Sequence, residues 1–99
     1  MAILDDVKVA LRIAATTTDF DGEINDLISA AIDDLKLAGV AADKAIDTDP
    51  LIKRAITTYC KAHYGYDNPD AERFLQAYLM LKMHLSLSVD YTEAAVVSP

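Results

Sequence analysis

The sequence predicts an all-α fold: a small bundle of four helices followed by a non-helical C-terminal tail. Three observations carry that prediction. Apolar residues recur at three- and four-residue spacing in four separate stretches, which is the period of an amphipathic helix. Only three glycines and three prolines occur in 99 residues, and they punctuate those stretches. No stretch shows the sustained every-second-residue alternation of a half-buried strand.

The first helix is expected over about 3–13, where Ile3, Leu4, Val7, Ala10 and Leu11 share one side. The run AATTTDFDG breaks it, because Thr, Asp and Gly compete with or loosen the helical backbone. A second helix is expected over about 21–38. Asp19 or Asp21 serves as its N-cap, Glu23 sits favourably in its first turn, and Gly39 stands just past its end. Its apolar stripe is Ile24, Leu27, Ile28, Ala31, Ile32 and Leu35, with Asp26, Ser29 and Asp33 on the opposite face. VAADKAIDTD has no clear period and reads as a loop. Asp49-Pro50 then opens a third helix over about 50–64, as N-cap followed by proline at the first helical position. Leu51, Ile52, Ala55, Ile56, Tyr59 and Ala62 form its apolar face; Lys53, Arg54, Thr57 and Lys61 form the other. Asn68-Pro69 repeats the start signal for a fourth helix over about 69–87, and residues 89–99 read as the tail.

A chain of 99 residues has room for one domain, 1–99, and no internal repeat or linker divides it. The composition is 53% apolar and 25% charged, which is that of a folding sequence rather than a disordered one. Sixteen acids against nine bases give a net charge of −7, which argues against a sequence-independent grip on nucleic acid. No apolar run approaches the roughly 18 residues of a membrane span, and the N-terminus lacks a basic-then-apolar leader pattern. One cysteine, Cys60, excludes an internal disulfide and a multi-thiolate metal site. The expected molecule is a small, acidic, soluble domain made inside the cell.

Reactive side chains cluster at one point, Cys60, His63 and Tyr64, about a helical turn apart. A Cys–His pair can form a thiolate nucleophile or half of a zinc site. The plainer reading is that Cys60 is a small buried hydrophobe and that His63 edges the apolar face. Zinc would need further ligands, and only His84 supplies another nitrogen donor. No nucleophile elbow, phosphate loop or zincin motif occurs, so neither catalytic nor cofactor nor metal residues are assigned.

The fourth helix is apolar on two sides. Phe74, Ala77, Tyr78, Leu81 and Leu85 form one face, and Leu75, Leu79, Met80, Met83 and Leu87 form a second nearly opposite it. Such a helix is either the wrapped centre of the bundle or a helix whose second face meets another subunit. Charge is segregated too. Asp26 and Asp33, with Asp34 at the edge, make an acidic outer face on the second helix; Lys53, Arg54 and Lys61 make a basic one on the third. These are either two solvated faces or the two halves of a head-to-tail contact between copies. In the tail, Tyr91, Val96 and Val97 are too apolar for an idle solvated end and are expected to dock on a partner.

ILDDVKVALRI, DFDGEINDLISAAIDDL, DPLIKRAITTYCKAHYGYDNPDAERF and LKMHLSLSVDY together resemble the phage head–tail connector (adaptor, head-completion or DNA-packaging) proteins. The resemblance runs from about Ile3 to Tyr91, with YGYDNPDAE and SLSVDY the most telling segments. It implies a helical, non-catalytic virion protein of the head–tail neck, made in the bacterial host cytoplasm. It implies assembly as a homo-oligomeric ring of about a dozen copies beneath the portal protein. A tail-side connector or tail-completion protein would dock below the ring, and DNA would pass through as cargo. The residues taken alone also allow a small helical regulatory or adaptor module that binds a protein through the second face of the fourth helix.

Overall fold

A computed structural model describes residues 3–14, 16–45, 49–65 and 68–92. Four helices follow one another: α1 (Ile3–Ala10), α2 (Asp21–Leu37), α3 (Pro50–His63) and α4 (Ala71–Leu87). Among the described residues there is no strand, only an isolated antiparallel bridge between Val40 and Thr92. Among the described residues the expected all-α bundle is what the chain forms, with 88–92 non-helical after α4; the rest of the expected tail lies outside them.

α3 is the common wall. Ile52, Ala55, Ile56 and Cys60 are fully shielded from solvent, and α1, α2 and α4 all pack against this helix. α2 contributes Ile24, Ile28, Ala31 and Leu35 to the same core, and α1 contributes Val7. Leu51, expected on the apolar face of α3, is instead exposed at its first turn.

Helix ends show where local chemistry decided the boundary. α1 stops three residues earlier than its apolar pattern. Arg12 turns into the left-handed region at φ 64°, Arg12 N–H bonds the Val9 carbonyl, and Ile13 N–H bonds that of Lys8. α2 ends the same way: Gly39 at φ 114° donates to Lys36 and the buried Val40 donates to Leu35. Both are Schellman closures, one on the glycine such a site favours and one on an arginine. The N-cap expected at Asp19 or Asp21 is not used. Phe20 occupies the cap position with no side-chain hydrogen bond, and Asp21 begins the helix and pairs with Lys8. Lys8 is 3% exposed; its Nζ lies 2.9 Å from the Asp21 carboxylate and donates to the Thr17 carbonyl at 2.6 Å. That buried cation ties α1 to the connection leading into α2.

Asp49 caps α3 as expected, its Oδ1 accepting from Leu51 and Ile52 N–H ahead of Pro50. α4 begins at Ala71 rather than Pro69, because Asn68 builds a turn first. Its Oδ1 accepts from Asp70 N–H, and its Nδ2 donates 2.7 Å to the Lys61 carbonyl in the last turn of α3.

Two polar contacts hold the remaining parts in place. Buried Tyr78 on α4 donates 2.6 Å to Asp34 on α2, and Lys82 reaches the same oxygen at 3.0 Å. Asp34, expected at the edge of the outer acidic face, is therefore turned inward by a tyrosine that needs an acceptor once buried. After α4, Ser88 Oγ accepts from Asp90 N–H and the Ser88 carbonyl accepts from Tyr91 N–H. The Tyr91 carbonyl then takes the Ala41 N–H, and its hydroxyl donates to Asp49 at 3.1 Å. Tyr91 thus straps the α2–α3 connection of its own chain. Val96 and Val97 lie outside the described residues.

These contacts predict two stability results. Tyr91→Phe and Asp49→Ala should each destabilise, by about 1 and about 1–2 kcal/mol in urea unfolding. The double variant should lose less than the sum of the two, because the tyrosine and the cap share one carboxylate. Burial pushes the Asp34 carboxyl up, but the Tyr78 and Lys82 contacts outweigh it and leave it below its ordinary 3.8. A carboxyl depressed on folding favours the folded state above about pH 4, and that contribution is lost as pH falls through the folded value. Asp34→Asn should lower stability at pH 7 while flattening the acid limb of an unfolding-versus-pH curve.

Candidate functional site

On a helix that turns about 100° per residue, Leu79, Met80, Met83 and Leu87 fall within an arc of about 100°, the width by which helices bury themselves in cores. In this chain that arc faces outward: the four side chains are 40%, 59%, 51% and 77% exposed. Leu75, at the edge of the arc, is half-buried. The opposite side supplies Tyr78 and Leu85 to the core, with Phe74 and Leu81 half-buried and Ala77 exposed. The sequence left open whether α4 is wrapped or half-covered. It is half-covered, because α3 is the one helix that packs along it and α2 touches it through the Asp34 contacts.

The basic side of α3 forms one wall of a groove of about 450 Å³ against Phe74 and Ala77 of α4, lined by Arg54, Thr57, Thr58 and Lys61. A second groove of about 510 Å³ adjoins it, shares Lys61 and Phe74, and adds Arg12. Lys61 and Arg73 each sit 5.2 Å from the centre of the Phe74 ring. Five of the chain's nine cations therefore gather along one seam, although the whole chain is acidic. Two of them are compensated within the chain. Lys53 lies 3.1 Å from Asp6 of α1, and Arg73 lies 3.5 Å from Asp70. Asp26 and Asp33 are exposed on α2. The structure thus places Arg54, Lys61, Asp26 and Asp33 outward, while Lys53 is partly committed to α1.

The Cys60–His63 pair does not converge. Cys60 is sealed in the core, where burial pushes its thiol up to about 12. His63 is exposed and stacks against Tyr59 at 4.3 Å between ring centres. Among the described residues no three His, Cys, Asp or Glu side chains are grouped to hold a metal ion, and no helix is long and apolar enough to cross a membrane.

The sequence analysis gave no role to Lys8 or Lys82 and no polar partner to Asp34 or Tyr78. A signal was present for two of them: a lysine within the apolar run of α1, and a tyrosine hydroxyl on an apolar stripe, both need polar partners. Identifying those partners takes the tertiary fold.

A family model described as phage connector protein matches residues 3–92, and the chain belongs to that family of phage head–tail connectors. No curated protein and no solved structure gives a significant match. The segments that carried the resemblance now have physical roles. Tyr64 caps α3 and meets Phe20 edge-on at 6.2 Å; Asn68 closes α3 and starts α4; Ser88 and Tyr91 form the strap.

A thiol buried and raised to about 12 should be inert. Native protein at pH 8 should take up no thiol-reactive dye over hours and one equivalent once unfolded in guanidinium. Rapid labelling of the native chain would place Cys60 at the surface.

Proposed function

We propose that the chain is a structural, non-enzymatic subunit of the connector at the virion neck. It assembles with copies of itself into a ring of about a dozen beneath the portal protein. In this reading the ring completes the packaged head, lets DNA pass as cargo and offers a docking surface to a tail-side connector or tail-completion protein. The observation that carries it is the open stripe of α4, on a chain whose family is that of phage connectors. Exposed apolar arcs of this width mark interaction surfaces, and Leu75, Leu79, Met80, Met83 and Leu87 are the subunit contact. Thioethers suit it, because they adapt to an irregular partner. The acidic balance fits a passage that must not hold phosphates tightly. In the tail, Tyr91, Val96 and Val97 are the apolar residues that reach a partner.

Met80→Glu with Met83→Glu tests this reading. Both side chains are exposed, so helix content and thermal midpoint should stay within a few degrees of the parent. In a phage deleted for this gene, the double variant should fail to restore infectivity and should leave filled heads without tails by electron microscopy. Normal particles from the double variant would remove α4 as the contact. Normal particles from the deletion itself would remove the connector role.

A further inference from the structure

The first groove holds a cation pair with a defined spacing. Arg54 and Lys61 are seven residues apart on α3, so they lie about 10 Å apart along the axis and within about 20° around it. Among the described residues neither has a carboxylate within ion-pair distance, whereas Lys53 and Arg73 beside them do. Asp26 and Asp33 are also seven apart, on α2, and repeat the same axial distance and the same alignment. Both acids are exposed, and Glu23 extends their face by a further turn. Within one molecule the two pairs cannot meet, because each lies opposite the apolar stripe by which its own helix joins the core.

We propose that the α3–α4 groove receives the outer face of α2 from a second copy of the chain, with Asp26 and Asp33 meeting Arg54 and Lys61. This deepens the connector reading and rests on it. Phe74, half-buried on the far wall, gives the incoming helix an apolar edge to lie on. A second copy fits better than a nucleic acid. A duplex rewards a long run of unpaired cations, while this groove offers two, flanked by Asp6 and Asp70. Donor and acceptor faces are different parts of the same surface, so the contact is heterologous and propagates from copy to copy until it closes. Of the basic set read from the sequence, Lys53 drops out to Asp6, and Arg54 and Lys61 remain.

Sedimentation velocity on the full chain over a range of concentration and salt tests the pairing. Arg54→Glu with Lys61→Glu should weaken self-association by about tenfold or more, and Asp26→Lys with Asp33→Lys should do the same. Combining all four should recover most of the loss, because opposite charges meet again. High salt should weaken the wild type and the four-site variant alike. Circular dichroism checks the helices; if a reversal unfolds the chain, Arg54→Gln with Lys61→Gln replaces it, with a smaller loss expected. A cysteine pair, Asp33→Cys mixed with Lys61→Cys, should cross-link between copies while buried Cys60 stays unlabelled. The pairing is overturned if the four-site variant associates no better than its two-site parents. It is equally overturned if the wild type stays monomeric at high concentration and low salt, or if the groove cations govern binding of a DNA duplex. Phage particles that form normally with Arg54→Glu and Lys61→Glu would sink this contact and leave the connector reading standing. Normal particles from the gene deletion itself would sink that reading instead.

Discussion

Every other helix of this protein leans on α3. Its inner side is made of short or branched residues, Ile52, Ala55, Ile56 and Cys60, which let α1, α2 and α4 approach closely. A wall shared by three neighbours leaves no second wall for the last of them. α4 therefore covers one of its two apolar faces and presents the other. The open methionine and leucine stripe follows from the topology, since α3 and the Asp34 contact of α2 meet α4 at Phe74, Tyr78 and Lys82, away from that stripe. In a chain of this length the surface hidden on folding is limited to begin with, so an uncovered stripe is a sizeable share of the apolar surface.

Polar chemistry compensates where packing is thin. α4 touches α2 through Tyr78 and Lys82 on one carboxylate oxygen of Asp34, and the segment after α4 is tied down by the Tyr91 hydroxyl on Asp49 and the Tyr91 carbonyl on Ala41 N–H. Asp49 is the more economical of the two acids, because it also ends the orphan N–H groups of α3. Lys8 plays the corresponding part at the other end of the molecule. Burying an ammonium is tolerable there only because a carboxylate and a carbonyl both receive it.

The family segments make sense in these terms. Tyr64, Asn68, Ser88 and Tyr91 shape turns and anchor helix ends rather than line a reaction centre. A resemblance built on such residues speaks to how the chain folds and where its surfaces point. That suits a protein whose work is to fit against others.

Helix period, the Asp49-Pro50 start and Gly39 made the class, the order and most boundaries of the helices legible, because those signals act over a few neighbouring residues. The two-sided pattern of α4 was legible as a pattern, and so was the alternation of acidic and basic outer faces. The early end of α1 at Arg12 was not, since a left-handed arginine carries no sequence mark of the kind glycine does. Neither was the inward turn of Asp34, the burial of Lys8, nor the return of Tyr91 to Asp49 across 42 residues. Those depend on which helix lies beside which, and a periodic pattern is silent on that. The sequence by itself determined that four amphipathic helices would form and that α4 had two faces to cover. Only the tertiary structure decided which face α3 would take, and which cations would stay unpaired once Asp6, Asp21, Asp34 and Asp70 had claimed theirs.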